Sequence, residues 1–203
     1  MKISAILIAA GLSSRMKGPN KLLQDIGGKT LIQHTCEQLV NSDVDEVIVV
    51  TGRDSELIEA EIRKFIVQDS KLTVVYNEKF ELGMTTSIQA GLMEAANADA
   101  LMICLSDMPE LKTQGYNELV MAFEKDGGKD KILAPFRDGQ KGNPVIFGSA
   151  YFTQMAEHKE LNGCSAIVKA HKEHLVKFET DSEAYFFDID TPESLESYRS
   201  RAK

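Results

Sequence analysis

The sequence predicts one α/β domain, a Rossmann-like, mostly parallel twisted sheet with helices on both faces, spanning residues 1–203. Three observations carry this expectation. Short aliphatic runs alternate with stretches of helical spacing, which is the pattern of βαβ crossovers. The runs are apolar almost without interruption, as strands covered on both faces are. No low-complexity linker and no long repeat divides the chain.

The elements follow in order. Ile3–Ala9, Glu46–Thr51, Leu72–Tyr76, 100–106 and 132–136 read as buried strands. Between them, 30–42, 55–65, 85–97 and 114–125 carry apolar residues at helical spacing; in the first, Leu31, Cys36, Leu39 and Val40 share one face. The last third breaks the rhythm. Gly142-Asn143-Pro144 precedes a strand at 145–147, and 175–178 and 185–188 are expected as further strands. Pro192, following Thr191, starts a closing helix at Pro192–Arg201. Residues 126–130 form a surface turn.

The 203 residues carry 23 basic and 31 acidic side chains, a net charge of −8. A chain of this length buries a sizeable core without staples. The acidic balance argues against a nucleic-acid partner, whose backbone demands clustered Lys and Arg. It leaves room for a small anionic ligand held by local cations. Cys36, Cys104 and Cys164 are few, odd in number and far apart, so they read as free thiols in a reducing compartment. The apolar run 3–10 is about half of what a membrane-spanning helix needs, and no small-residue cleavage site follows it. The expectation is a cytoplasmic protein without a membrane partner.

The first strand ends in Ala9-Ala10-Gly11-Leu12-Ser13-Ser14-Arg15-Met16-Lys17-Gly18-Pro19-Asn20-Lys21. Ligands of open parallel sheets bind beyond the carboxyl ends of strands. Small residues there let backbone N–H groups approach phosphate oxygens, and Arg15 and Lys21 add fixed positive charge. Two familiar phosphate loops are absent. The second Gly of G-x-G-x-x-G is replaced by Ser13, and Gly28-Lys29-Thr30 lacks the leading glycine of a P-loop because position 23 is Leu23. The latter stretch reads as a turn entering a helix.

In this loop the chain resembles the MobA-like nucleotidyltransferase family, and especially its molybdenum cofactor cytidylyltransferase branch. The family string L-A-A-G-x-S-x-R-M-G, with a lysine soon after, is matched by residues 8–16 and Lys21, with Ile8 for Leu and Lys17 where Gly is usual. The resemblance implies a nucleotide-diphospho-sugar transferase-like fold and a nucleotide held by Ala9, Ala10, Gly11, Leu12, Ser13 and Lys21. It runs from residue 3 to about residue 198 but lacks the branch's G-D-x-G-A-R segment, whose arginine is an acceptor-side contact; residues 161–167 stand there instead.

Further residues gain roles by the same resemblance, each beside a plainer reading. Asp107, in Ser106-Asp107-Met108-Pro109, is either a turn aspartate or the family's Mg²⁺ ligand. Asn77, Gly83 and Ser87 match an element lining base and ribose, although Gly83 can simply make a turn and Thr85 a helix cap. Gly142 and Asn143 match an acceptor-side element, or are a loop before an edge strand. Asp188 and Asp190, in Asp188-Ile189-Asp190-Thr191-Pro192-Glu193, match a string beside the metal, while Asp190 can instead cap the closing helix. His171 and His174 are expected on a solvated helix face rather than as metal ligands, and neither His34 nor His158 has a strained nucleophile to serve.

The function implied is Mg²⁺-dependent transfer of a nucleoside monophosphate, CMP from CTP, onto a phosphorylated small-molecule acceptor such as molybdopterin. Arg15, Lys21 and Asp107 are its catalytic residues, and a molybdoenzyme or its chaperone is a possible partner. Guanylyl transfer, cytidylyl transfer to a sugar or alcohol phosphate, and a degenerate nucleotide-binding chaperone are the alternatives. Ala10 favours CTP, since Ala-Ala-Gly is usual in the cytidylyltransferases and Ala-Gly-Gly in the guanylyltransferases.

Overall fold

The computed structural model describes residues 1–16, 18–65, 71–95 and 97–201. In chain order they form β1 (Ile3–Ala9), α1 (Leu31–Val40), β2 (Glu46–Thr51), α2 (Ser55–Arg63), β3 (Leu72–Tyr76), α3 (Met84–Glu94), β4 (Ala100–Leu105) and α4 (Thr113–Asp126). Then follow β5 (Ile132–Arg137), β6 (Gln140–Lys141), β7 (Val145–Gly148), α5 (Phe152–Glu157), α6 (Ser165–Ala170), β8 (Leu175–Glu179) and α7 (Pro192–Arg201).

The strands make one sheet in the order β3-β2-β1-β4-β7-β5, with β6 beside the far end of β5 and β8 parallel on its other edge. The pairs β1–β2, β1–β4 and β2–β3 are parallel, whereas β7 lies antiparallel to both β4 and β5. All seven residues of β1 are buried. Ile3, Ala5, Leu7 and Ala9 face a core closed by α1, α2, α4 and α7, while Ile6 and Ile8 face a second core with Ile88, Met155, Ile167 and Val168. This two-sided burial is what the unbroken apolar runs require.

The chain leaves β1 toward β2 on one side and later returns as β4 on the other. The sheet order therefore reverses between β1 and β4, and a crevice opens there above their carboxyl ends. The loop after β1 and the Asp107 corner after β4 flank that crevice.

Three local expectations are corrected. Leu72–Tyr76 is an edge strand rather than a buried one: it pairs β2 alone, none of its residues is fully buried, and Thr73 and Tyr76 are exposed. Residues 185–188 are not a strand: a 3-10 turn at Glu183–Tyr185 precedes unpaired chain. The Tyr185 ring is in the core with its hydroxyl bonded to Gly115 and Glu118, and Phe186 N–H turns back to the Glu183 carbonyl. Apolar alternation here marks inward-facing irregular chain. Likewise His171 and His174 share no helix, since α6 stops at Ala170 and a 3-10 turn takes Lys172–His174. The Gly28 stretch is a turn as expected. Asp25 accepts N–H bonds from Gly27 and Gly28 at 3.0 and 3.1 Å, and Thr30 caps α1 in a box with Gln33.

Candidate active site

The loop after β1 is held by interactions that the sequence motif does not advertise. Asn20, 2% exposed, accepts from Ser13 Oγ (3.1 Å) and Leu22 N–H (3.1 Å) and donates to Asp54 (3.2 Å). Arg53 donates to the Leu12 carbonyl at 2.5 Å. Ser13 takes a positive φ of 50°, which a short polar residue tolerates better than a bulky one. A Cβ at Gly11 would meet no protein atom within 4 Å, so the loop shows bare backbone there. Lys17 lies outside the described residues.

Asp107 follows β4, and the segment 188–190 runs beside it, fixed by the Ile189 N–H bond to the Asp107 carbonyl at 2.8 Å. Ile189 is fully buried while Asp188 and Asp190 bracket it, so the alternation of an extended segment presents both carboxylates together. Asp190 is not the cap of α7. Ser194 Oγ accepts the Asp190 and Thr191 N–H groups at 3.1 Å each, and Thr191 Oγ1 accepts Ser194 N–H at 3.2 Å. That leaves the Asp190 side chain to the crevice.

Asp107, Asp188 and Asp190 each offer a carboxylate oxygen within 4.8 Å of the others. Lys21 Nζ lies 2.5 Å from Asp107 Oδ2 and 2.7 Å from Asp190 Oδ1, and Arg15 Nη2 lies 2.8 Å from Asp190 Oδ2. Burial alone would depress the Lys21 ammonium, yet Asp107 and Asp190 raise it above the ordinary lysine value. Burial, then the charges of Asp107 and Asp190, push the Asp188 carboxyl up. Burial also opposes charge on Asp190, but Lys21 and Arg15 hold it below the usual carboxylate value. Asp107 Oδ1 is buried without a hydrogen-bond partner.

A cleft of about 310 Å³ joins these groups to the loop. Gly11, Leu12, Ser13, Arg15, Lys21, Asp107, Asp188 and Asp190 line it together, with Met84, Leu105 and Ser106. Gly142 and Asn143 line an adjoining cavity of about 140 Å³ that shares Asp188. Ala9, Ala10, Asn77, Gly83 and Ser87 do not line the cleft. Asn77 donates to Thr86 and Ser87 at 2.9 and 3.0 Å and accepts Lys79 N–H, which ties the start of α3 to β3. Gly83 takes a φ of 109° at the head of α3. Thr85 caps nothing; it bonds the Glu160 carbonyl and accepts Gly163 N–H.

Asn20 and Ser106 escaped the sequence reading. Ser106 Oγ donates to the Ile8 carbonyl at 2.7 Å and fastens the two crevice strands. The bonds of Ser106 to Ile8 and of Asn20 to Asp54 have no spacing signal, because they span 98 and 34 residues. The three cysteines are buried free thiols; burial raises all three and pushes Cys164 up to about 12, so none is a ready nucleophile. Among the described residues no helix is long and apolar enough to cross a membrane.

A glycine-bared loop faces a carboxylate cluster at the sheet's reversal point, the place where open α/β sheets bind their ligands. The chain belongs to the MobA-like NTP transferase domain family, whose model matches residues 5–175. The bifunctional protein GlmU of Francisella philomiragia is 32% identical over 127 residues, 62% of this chain and 27% of that protein. The chain spans 27–39% of the length of this and three further GlmU relatives. Among solved structures, a nucleotidyl transferase from Methanothermobacter superposes with a TM-score of 0.83 at 20% identity, covering 98% of this chain and 97% of the other. A CMP:2-keto-3-deoxy-manno-octonic acid synthetase complexed with CTP gives 0.76 at 17% identity over 100% and 98%. Molybdopterin-guanine dinucleotide biosynthesis protein A from Archaeoglobus fulgidus gives 0.71 at 18% over 98% of each. These likenesses establish the nucleotidyltransferase fold.

Proposed function

We propose that the chain is a Mg²⁺-dependent nucleotidyltransferase that moves CMP from CTP onto the phosphate of a small molecule, a molybdopterin-type acceptor being favoured. The observation that carries this reading is the meeting of Lys21 and Arg15 with Asp107, Asp188 and Asp190 under the loop after β1. The carboxylates fit a hard divalent cation: all donors are oxygens, they crowd within 4.8 Å, and Asp107 Oδ1 is buried without a partner. A cation held by them supplies charge neutralisation at the phosphate oxygens.

The acceptor's phosphate oxygen attacks the α-phosphorus, the bond from that phosphorus to the bridging oxygen breaks, and pyrophosphate leaves. No protein nucleophile is needed. The residues' task is alignment and electrostatics. The Gly11 backbone lets the triphosphate approach, while Lys21 offsets charge that develops at the α-phosphorus. Arg15, with 68% of its side chain exposed, has room to reorient from Asp190 to a phosphate. Gly142 and Asn143 adjoin Asp188, on the side from which an acceptor would enter.

CTP is favoured by the Ala10 string and by the CTP complex of a protein with this fold. The test is pyrophosphate release, screened with four nucleoside triphosphates against molybdopterin and several small phosphates. Release with CTP and an acceptor is expected. Release with GTP in its place rejects the cytidylyl reading, and no release with any pair rejects the activity.

A further inference from the structure

Beyond Asn143 the cleft has an annex that the carboxylate cluster does not touch. A cavity of about 160 Å³ shares Met84 and Leu105 with the main cleft. It also shares Lys141, Ser165 and Val168 with a groove of about 550 Å³ lined by α6, Phe136 of β5 and the first half of β8. The connecting cavity thus adjoins both the main cleft and the groove.

The floor of the outer groove is apolar, built from Phe136, Val168 and Leu175, and its polar lining includes Lys141, Lys169, Lys172 and Lys177. No lining residue is acidic. That is out of keeping with a chain of net charge −8. Among the described residues no carboxylate lies within 4.0 Å of any of the four ammonium groups. Lys177 sits 5.0 Å over the Phe136 ring, and Lys141 donates to the neighbouring Gly142 carbonyl at 3.2 Å. Lys141 borders the outer groove, the connecting cavity and the cavity that contains Asp188. Four ammonium groups around one groove without an acidic lining residue offer an anion several charge-assisted contacts.

We propose that this lysine groove binds a second anionic group of the acceptor, remote from the phosphate that attacks. The acceptor is then anionic at two separated places, with a body that lies on the Phe136–Leu175 floor. This role in turnover rests on the nucleotidyl-transfer reading, although binding in the groove does not. Lys141, between the two ends, orients the acceptor along the trough.

Calorimetric titration of the full chain with hexyl phosphate and with 1,6-hexanediol bisphosphate tests the proposal. The bisphosphate is expected to bind about tenfold tighter, the worth of one charge-assisted contact pair. The double variant Lys169→Gln, Lys172→Gln, both at exposed positions, should cut that preference below about twofold. Equal affinity for the two probes, no binding of the bisphosphate, or a preference that survives the double substitution overturns the proposal. A parallel titration with Mg²⁺ and CTP reads the other site: if CTP fails to bind the unmodified protein, the nucleotidyl-transfer reading falls while the groove result stands on its own.

Discussion

Replacing Lys21 by methionine isolates the electrostatics of the crevice. Its side chain is 12% exposed and contacts Asp107 at 2.5 Å and Asp190 at 2.7 Å. With the ammonium gone, carboxylates no more than 4.8 Å apart face one another with only the exposed Arg15, on Asp190, to offset them. At an effective dielectric constant near 20, each such pair repels by about 3.5 kcal/mol. Loss of one partner from a buried pair costs about 3–5 kcal/mol, and partial exposure of Asp190 (25%) puts this case at the lower end. In EDTA the Lys21→Met protein should therefore lose ~3 kcal/mol, a Tm drop of about 6–12 °C. Mg²⁺ brings positive charge to the same oxygens, so its stabilising effect should be larger in the variant than in the unmodified chain. The sign with pH is also fixed. Asp188 titrates above the ordinary 3.8, so its contribution to stability is full below that value and lost as pH rises through the raised one. The variant's deficit should shrink on acidification and grow on the alkaline side. Calorimetric melts with EDTA and with Mg²⁺ across that window provide the assay. An unchanged Tm in EDTA, or an equal gain from Mg²⁺ in both proteins, refutes the reasoning.

Three further outcomes are expected. Arg15→Lys should change stability by less than about 0.5 kcal/mol, because its guanidinium is largely exposed; steady-state kinetics should show kcat falling more than the nucleotide KM rises, since an ammonium cannot repeat a bidentate phosphate contact. Asn20→Ala removes the partner of Ser13, Leu22 and Asp54 and should cost about 1–3 kcal/mol; denaturant melts should show the loss, and the nucleotide KM should rise as the loop loosens. Ala10→Gly should narrow a CTP-over-GTP preference without inverting it. The Ala10 methyl sits near Gly52 and Phe80 rather than on the cleft wall, since a Cβ on Gly52 would come within 2.9 Å of it. Its effect on kcat/KM ratios should thus fall at the low end of the roughly 10- to 200-fold that one methyl can supply in a pocket.

The sheet was legible because it rests on local periodicity, whereas the three aspartates were legible through the family strings they match. Residues 3–9 announce a strand buried on both faces, and Asp188-Ile189-Asp190-Thr191-Pro192-Glu193 resembles the family's string beside the metal. What pairs with what was not legible. Lys21 reads as a phosphate-facing cation in its loop, but its contacts are with Asp107 and Asp190, 86 and 169 residues away. The antiparallel insertion of β7 between β4 and β5, with β6 against β5 alone, is equally non-local, since Asp138 and Gly139 make a positive-φ turn whose return path the sequence does not specify. Asn77 and Ser87 bond each other, a contact decided by where α3 packs.

The account's central claim is that Asp107 belongs to a centre that transfers a nucleotidyl group. The most direct measurement follows the label of α-³²P-CTP, with Mg²⁺ and the acceptors of the screen, in the unmodified protein and in Asp107→Ala. Label should move to the acceptor in step with pyrophosphate release. In Asp107→Ala transfer should vanish at saturating Mg²⁺ at temperatures where the variant is still folded, since Lys21 keeps Asp190 at 2.7 Å and the loss of this carboxylate costs on the order of several kcal/mol in the transition state. Label transfer at the unmodified rate by Asp107→Ala would contradict the claim.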